Sequence, residues 1–154
     1  MESEDAIGKQ YAILRVITFA LFVAAPLCYT AIVYLLSYSG NMPIRPNAPI
    51  TYAMFALALI HAVLVPACDR FGVWTKKGRG PRREGQSISQ RAVSLMIIKM
   101  AQIESMYLFG MVTFFVTGLT TYLPYFAALG LMYSIIYWPT RERFVSLVRA
   151  LEEP

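Results

Sequence analysis

The sequence predicts an all-α membrane protein: four transmembrane helices as two tandem hairpins, plus a C-terminal amphipathic interfacial helix. Three observations carry this expectation. The 154 residues are 57% hydrophobic and only 15% charged, where an average soluble domain carries roughly 25% charged residues. The apolar residues gather into four runs, about 12–36, 52–68, 92–117 and 121–137, close to the length that a hydrocarbon core about 30 Å thick requires. Thirteen of the fourteen Lys and Arg residues can share one side of a membrane, with only Arg45 left over. Basic residues near span ends resist translocation and stay cytoplasmic, so both termini are expected inside. Four spans with short loops leave no room for a separate soluble domain, and 1–154 reads as one integral membrane domain of a bacterial inner membrane.

The first run is too long for a secretory signal, lacks a small-residue cleavage site and follows three acids, Glu2, Glu4 and Asp5, so it is expected to remain as a span. Pro26 falls in mid-helix, where a missing donor and a crowded preceding turn predict a kink. The first outer loop holds Gly40, Pro43, Pro46 and Pro49 and reads as irregular chain. Span two is expected to stop near Pro66. The central loop, 71–90, contains KKGRGPRREG, basic and rich in Gly and Pro. Ser87 or Ser89 is suited to cap the third helix. The turn Gly118–Thr120 is tight, and Pro124 sits in the first turn of span four. Beyond Pro139, Phe144, Leu147, Val148 and Leu151 follow helical spacing while Arg141, Arg143 and Arg149 occupy other faces. Thr140 can cap this helix, expected over 140–151 along the inner headgroup layer.

An internal repeat supports the tandem arrangement. Span two ends PACDRF (66–71) and span four ends PTRERF (139–144). Ile17, Ala20 and Leu27 align with Ile98, Ala101 and Leu108, which sets Val23 opposite Glu104. Cys28 and Cys68 fall at depths that no disulfide bridges, and both read as small buried hydrophobes.

The net charge of +5 follows topology and points to no nucleic acid. No GxxxxGK[ST] or HExxH motif occurs. A single histidine supplies neither a Ser–His–acid set nor a bis-histidine haem site. No enzyme, cofactor or metal site is therefore expected.

The residue that stands out is Glu104. It lies about a dozen residues into span three, roughly 15–18 Å from the inner edge. A charge there costs at least a few kcal/mol, so such residues pair, protonate or line a path. Two readings stay open: a proton or cation site, and a neutral carboxyl that ties neighbouring helices together. His61, at similar depth in span two, can donate to Glu104 across the bundle, and such a pair would resemble a proton relay. Tyr107 is one turn above Glu104 and can bond it from a partner subunit. Lys99 can snorkel to the inner headgroups, and Gln102 faces a different helix. Lys76, Lys77, Arg79, Arg82 and Arg83 form a membrane-surface contact for anionic lipid.

The segment IESMYLFGMVTFF, 103–115, resembles the carboxylate helix of the proteolipid rotor subunits of rotary ATPases. Glu104 matches the acid of that pattern and Gly110 its glycine. Tyr107 does not directly precede the glycine, and 52–68 contains no glycine, whereas the family's preceding helix is glycine-rich. The wider layout, carried by 14–34, 98–110 and 139–144, is similar to a group of uncharacterised small bacterial four-helix membrane proteins. That resemblance implies fold and cellular site. The expected function is a non-enzymatic helix-bundle subunit or accessory protein of an inner-membrane complex, with the lipid bilayer and other membrane subunits or further copies of itself as partners. The alternative is a proton- or cation-carrying proteolipid-like subunit using Glu104. A third is a membrane-surface regulator acting through the basic loop.

Overall fold

In the computed structural model the described residues are 4–40, 44–45, 47–70 and 85–152, and every element among them is helical. The basic cluster Lys76, Lys77, Arg79, Arg82 and Arg83 lies outside the described residues. The chain opens with α1 (Glu4–Phe19), which passes through one wide π-helical turn (Ala20–Ala24) into α2 (Ala25–Tyr38). Together they make one continuous 35-residue rod. There follow α3 (Ala48–Arg70), α4 (Ile88–Thr117), a 3₁₀ turn (Thr120–Tyr122) with α5 (Leu123–Ile136), and α6 (Arg141–Glu152).

Three helical rods are long and apolar enough to cross a membrane: Glu4–Tyr38, Ala48–Arg70 and Ile88–Thr117. The fourth apolar stretch, Thr120–Ile136, is shorter, about 27 Å from the rises of its 3₁₀ and α portions.

Helix ends follow local chemistry. Ser87 closes a capping box with Gln90 at the start of α4: the Gln90 N–H donates to Ser87 Oγ at 3.2 Å and the Ser87 N–H donates to Gln90 Oε1 at 3.1 Å. This choice between the two serines leaves Ser89 buried. Ser87→Ala is expected to cost about 1 kcal/mol and to speed amide exchange in the first turn of α4; unchanged exchange there would contradict the cap. At the other end Gly118 takes φ 73° and its N–H donates to Phe114 O at 2.7 Å, a left-handed stop that suits glycine. Thr140 accepts from the Arg143 N–H at 3.3 Å and so caps α6 as expected.

A π-helical turn precedes Pro26, and the helix that holds Pro66 continues past it. Before Pro26 the helix widens by one turn, and the Ala25 N–H reaches back to Ala20 O. The wider turn absorbs the crowding of the ring against the preceding turn. Span two was expected to end near Pro66, yet α3 runs through it to Arg70. Pro66 has no N–H for Ala62 O, the acceptor four residues back. Tyr133 of α5 supplies the replacement, its hydroxyl donating to Ala62 O at 2.6 Å. Tyr133→Phe is expected to destabilise the bundle by about 1 kcal/mol, the net scale of one intramolecular hydrogen bond, read from a denaturant titration. No loss would mean that Ala62 O finds another donor.

The bundle is organised around α4, which packs on every other helix. The α1–α2 rod runs parallel to α4: Thr18 meets Met100, Tyr29 meets Glu104, and Val33 shares a core cluster with Phe114. Helices α3 and α5 run the other way, with His61 against Phe109 and Gly130 against Tyr107. The two arms of the expected first hairpin, the α1–α2 rod and α3, scarcely touch, because α4 stands between them. The second hairpin, α4 with α5, is the tightest pairing. Helix α6 folds its apolar face back on the bundle: Phe144, Val148 and Leu151 are buried with Leu14, Ala92 and Leu95, and the Phe144 ring lies 5.9 Å from Tyr11.

Apolar side chains cover the surface as well as filling the core, and a few polar groups lie inside. Leu35, Val63, Leu131 and Ile135 are exposed, whereas Glu104, Thr113, Thr117 and Ser134 are buried. An exposed apolar side chain alone is ordinary in a soluble protein. Contiguous apolar faces on α2, α3 and α5 are not.

Candidate functional site

Glu104 projects from the middle of α4 into the bundle and is 9% exposed. Its partner is Tyr29 of α2, whose hydroxyl donates to Glu104 Oε1 at 2.6 Å. Side chains on a helix tilt toward its N-terminus. Tyr29 therefore reaches back along the parallel rod to the level of Glu104, although its backbone lies higher. The result is a polar tie between the first and third apolar helical rods.

The other expected partners of Glu104 are elsewhere. His61 does not pair with it. Its Nδ1 lies 2.9 Å from Leu57 O on its own helix, and its ring packs T-shaped against Phe109 with centroids 5.3 Å apart. Phe109 is five residues beyond Glu104, about 140° around α4, so the imidazole and the carboxyl serve different faces of one helix. Tyr107 does not bond Glu104 either. Its hydroxyl lies 3.3 Å from Ser134 Oγ of α5, which ties α4 to α5. That hydroxyl is reached because Gly130 opens the surface of α5: a Cβ there would stand 2.6 Å from Tyr107 Cε2. Gly110 does the same from α4, where a Cβ would come within 2.9 Å of Phe126 Cβ.

Nearer the α6 end, Lys99 is ion-paired with Asp69 of α3 and lies 4.3 Å from the centroid of the Tyr137 ring. Asp69 is a neighbour of Lys99 that spacing along α4 does not reveal. Gln102 carries the one buried side-chain polar atom without a hydrogen-bond partner among the described residues, its Oε1. Cys28 and Cys68 are both free thiols. Contrary to expectation Cys28 is exposed and Cys68 half-buried, because Cys28 falls on the outward face of α2. Among the described residues no group of three or more His, Cys, Asp or Glu gathers at metal-binding distance.

The arrangement is thus a set of single polar links through an apolar bundle: Lys99–Asp69 at one end, and Tyr133–Ala62, Tyr29–Glu104 and Tyr107–Ser134 further along. Tyr29, Ser134, Asp69 and Tyr133 are the members that sequence reasoning missed, together with Gly130 beside Tyr107. A usable signal existed for Tyr29 alone, as a phenol on a parallel helix just beyond the depth of the acid. Comparisons with protein-family models, curated proteins and solved structures yield no match to the chain.

Proposed function

We propose that this chain is an integral membrane protein of a bacterial inner membrane, spanning it four times with both termini cytoplasmic, and that it acts as a non-enzymatic structural or accessory subunit of a membrane complex. Its exposed apolar faces on α2, α3 and α5 suit lipid tails and the apolar helices of neighbouring subunits or further copies. Thr120–Ile136, flanked by Tyr137 and Trp138, is the fourth span, with the aromatic pair as an interfacial anchor.

The observation that carries the structural role is the inward-facing, hydrogen-bonded Glu104. In a lipid environment a single carboxyl–phenol link holds two helices in register without leaving a polar group unpaired. The polar side chains around the middle of α4 are engaged in pairs, Glu104 with Tyr29 and Tyr107 with Ser134.

Glu104→Gln keeps an acceptor for Tyr29, so the variant is expected to assemble with the same partners at the same stoichiometry in mild detergent as the native chain. It is also expected to leave the proton permeability of reconstituted vesicles unchanged. A native chain that purifies alone, as a monomer, contradicts the accessory role. Proton flux that is abolished by Glu104→Gln, together with dicyclohexylcarbodiimide labelling of Glu104, establishes carriage by the acid instead.

A further inference from the structure

The end of the bundle that carries α6 holds an open-sided cavity of about 380 Å³, distinct from the Tyr29–Glu104 tie. Its charged lining is Asp69, Lys99 and Arg143, beside Tyr137, and its apolar wall includes Leu95, Met96 and Leu147. Two cations and one anion leave the lining with a net charge of +1. Lys99 is held by Asp69. Arg143 has no carboxylate partner among the described residues. Its Nη1 donates to Ile136 O at 2.7 Å and to Trp138 O at 3.2 Å, which fixes the guanidinium at the end of α5. A guanidinium carries five N–H donors, so the carbonyls do not exhaust it.

We propose that this cavity binds the headgroup of an anionic phospholipid from the cytoplasmic leaflet. The phosphodiester oxygens meet Arg143 and Lys99, and the glycerol and first methylenes lie on Leu95, Met96 and Leu147. One phosphodiester charge balances the excess of the lining. A guanidinium presents paired donors to phosphate oxygens, which favours phosphate over a neutral headgroup. The volume is at the small end of the ~300–1,000 Å³ range of ligand sites. It suits a headgroup whose tails leave along the apolar outside of the bundle. The apolar wall favours a lipid over free phosphate, which shares the same charged chemistry. Basic pockets between helices on the cytoplasmic side take anionic headgroups for this reason. The assignment rests on the membrane reading above.

The test uses the full chain in a non-ionic detergent, with native mass spectrometry after addition of phosphatidylglycerol or phosphatidylcholine. The native chain is expected to retain phosphatidylglycerol about tenfold more tightly, the scale of a charge-assisted hydrogen bond. Arg143→Gln and Lys99→Gln should each reduce that preference. Arg149→Gln, on the same helix but outside the cavity, should leave it intact. Equal retention of the two lipids by the native chain overturns the proposal whatever the variants do. Displacement of phosphatidylglycerol by inorganic phosphate overturns the lipid assignment in favour of a free-phosphate site. Failure of the membrane reading looks different: the chain would then be folded and monodisperse without any detergent.

Discussion

Gly130→Leu is expected to separate α4 from α5 and to be among the most damaging single substitutions in the bundle. The first added atom already collides with a ring: a Cβ at position 130 would lie 2.6 Å from Tyr107 Cε2 and 2.7 Å from Cζ. That ring has little freedom to retreat, because its hydroxyl is placed against Ser134 one turn along α5. Overpacking of this kind costs about 1–3 kcal/mol for modest insertions. The alanine variant should fall in that range, and the leucine variant should exceed it and lose monodispersity in detergent. Gly8→Leu is the control, since a Cβ at position 8 meets nothing within 4 Å. Equal thermal stability of the Gly130→Leu and Gly8→Leu variants would refute the close α4–α5 contact.

Tyr29→Phe is expected to cost about 2–3 kcal/mol, because it strands a buried carboxyl oxygen rather than exchanging one hydrogen bond for another. Glu104→Leu strands the phenol instead and should cost a comparable amount. The informative quantity is their coupling. Residues that share one hydrogen bond show interaction energies of about 0.5–3 kcal/mol in a double-mutant cycle, so the double variant Tyr29→Phe/Glu104→Leu should be markedly less destabilised than the sum. Strict additivity would mean that the two side chains do not act on each other. Glu104→Gln should be the mildest change at this position, since it keeps an oxygen that Tyr29 can address.

What was legible in the sequence was what local chemistry decides. Ser87 with Gln90, Gly118 and Thr140 mark helix ends through bonds that span three or four residues, and their spacing is visible in the chain itself. The apolar face of α6 was legible for the same reason, from the recurrence of Phe144, Val148 and Leu151. Pro66 was misread because its consequence is not local. The carbonyl that it leaves unpaired is satisfied by Tyr133, 71 residues away in the chain, so a rule for isolated helices ends α3 too early.

The same distinction governs the site. Glu104 was identifiable as a buried acid because a charged residue within a long apolar run is conspicuous. Its partner depends on which helix lies beside α4 and on the direction in which a tyrosine leans, neither of which spacing along one helix reveals. His61 and Tyr107 were attractive partners by depth and by turn, but each faces a different neighbour of α4. Gly130 escaped notice because close approach here takes one glycine against one ring, with no repeated small-residue spacing to betray it. The alignment of the two chain halves was more informative. Its offset of 81, from Ile17 to Ile98, is close to the separation of 82 between Thr18 and Met100 in contact, as two parallel helices starting at one level require.

The central claim, a four-span bundle threaded with its basic surfaces in the cytoplasm, is tested most directly by cysteine accessibility in intact cells. In a background lacking Cys28 and Cys68, single Ser39→Cys and Lys77→Cys variants would be treated with a membrane-impermeant maleimide. The expected result is labelling at position 39 in intact cells and at position 77 only after the membrane is opened. Labelling at position 77 with protection at position 39 would invert the threading, and labelling of both in intact cells would contradict a span between them.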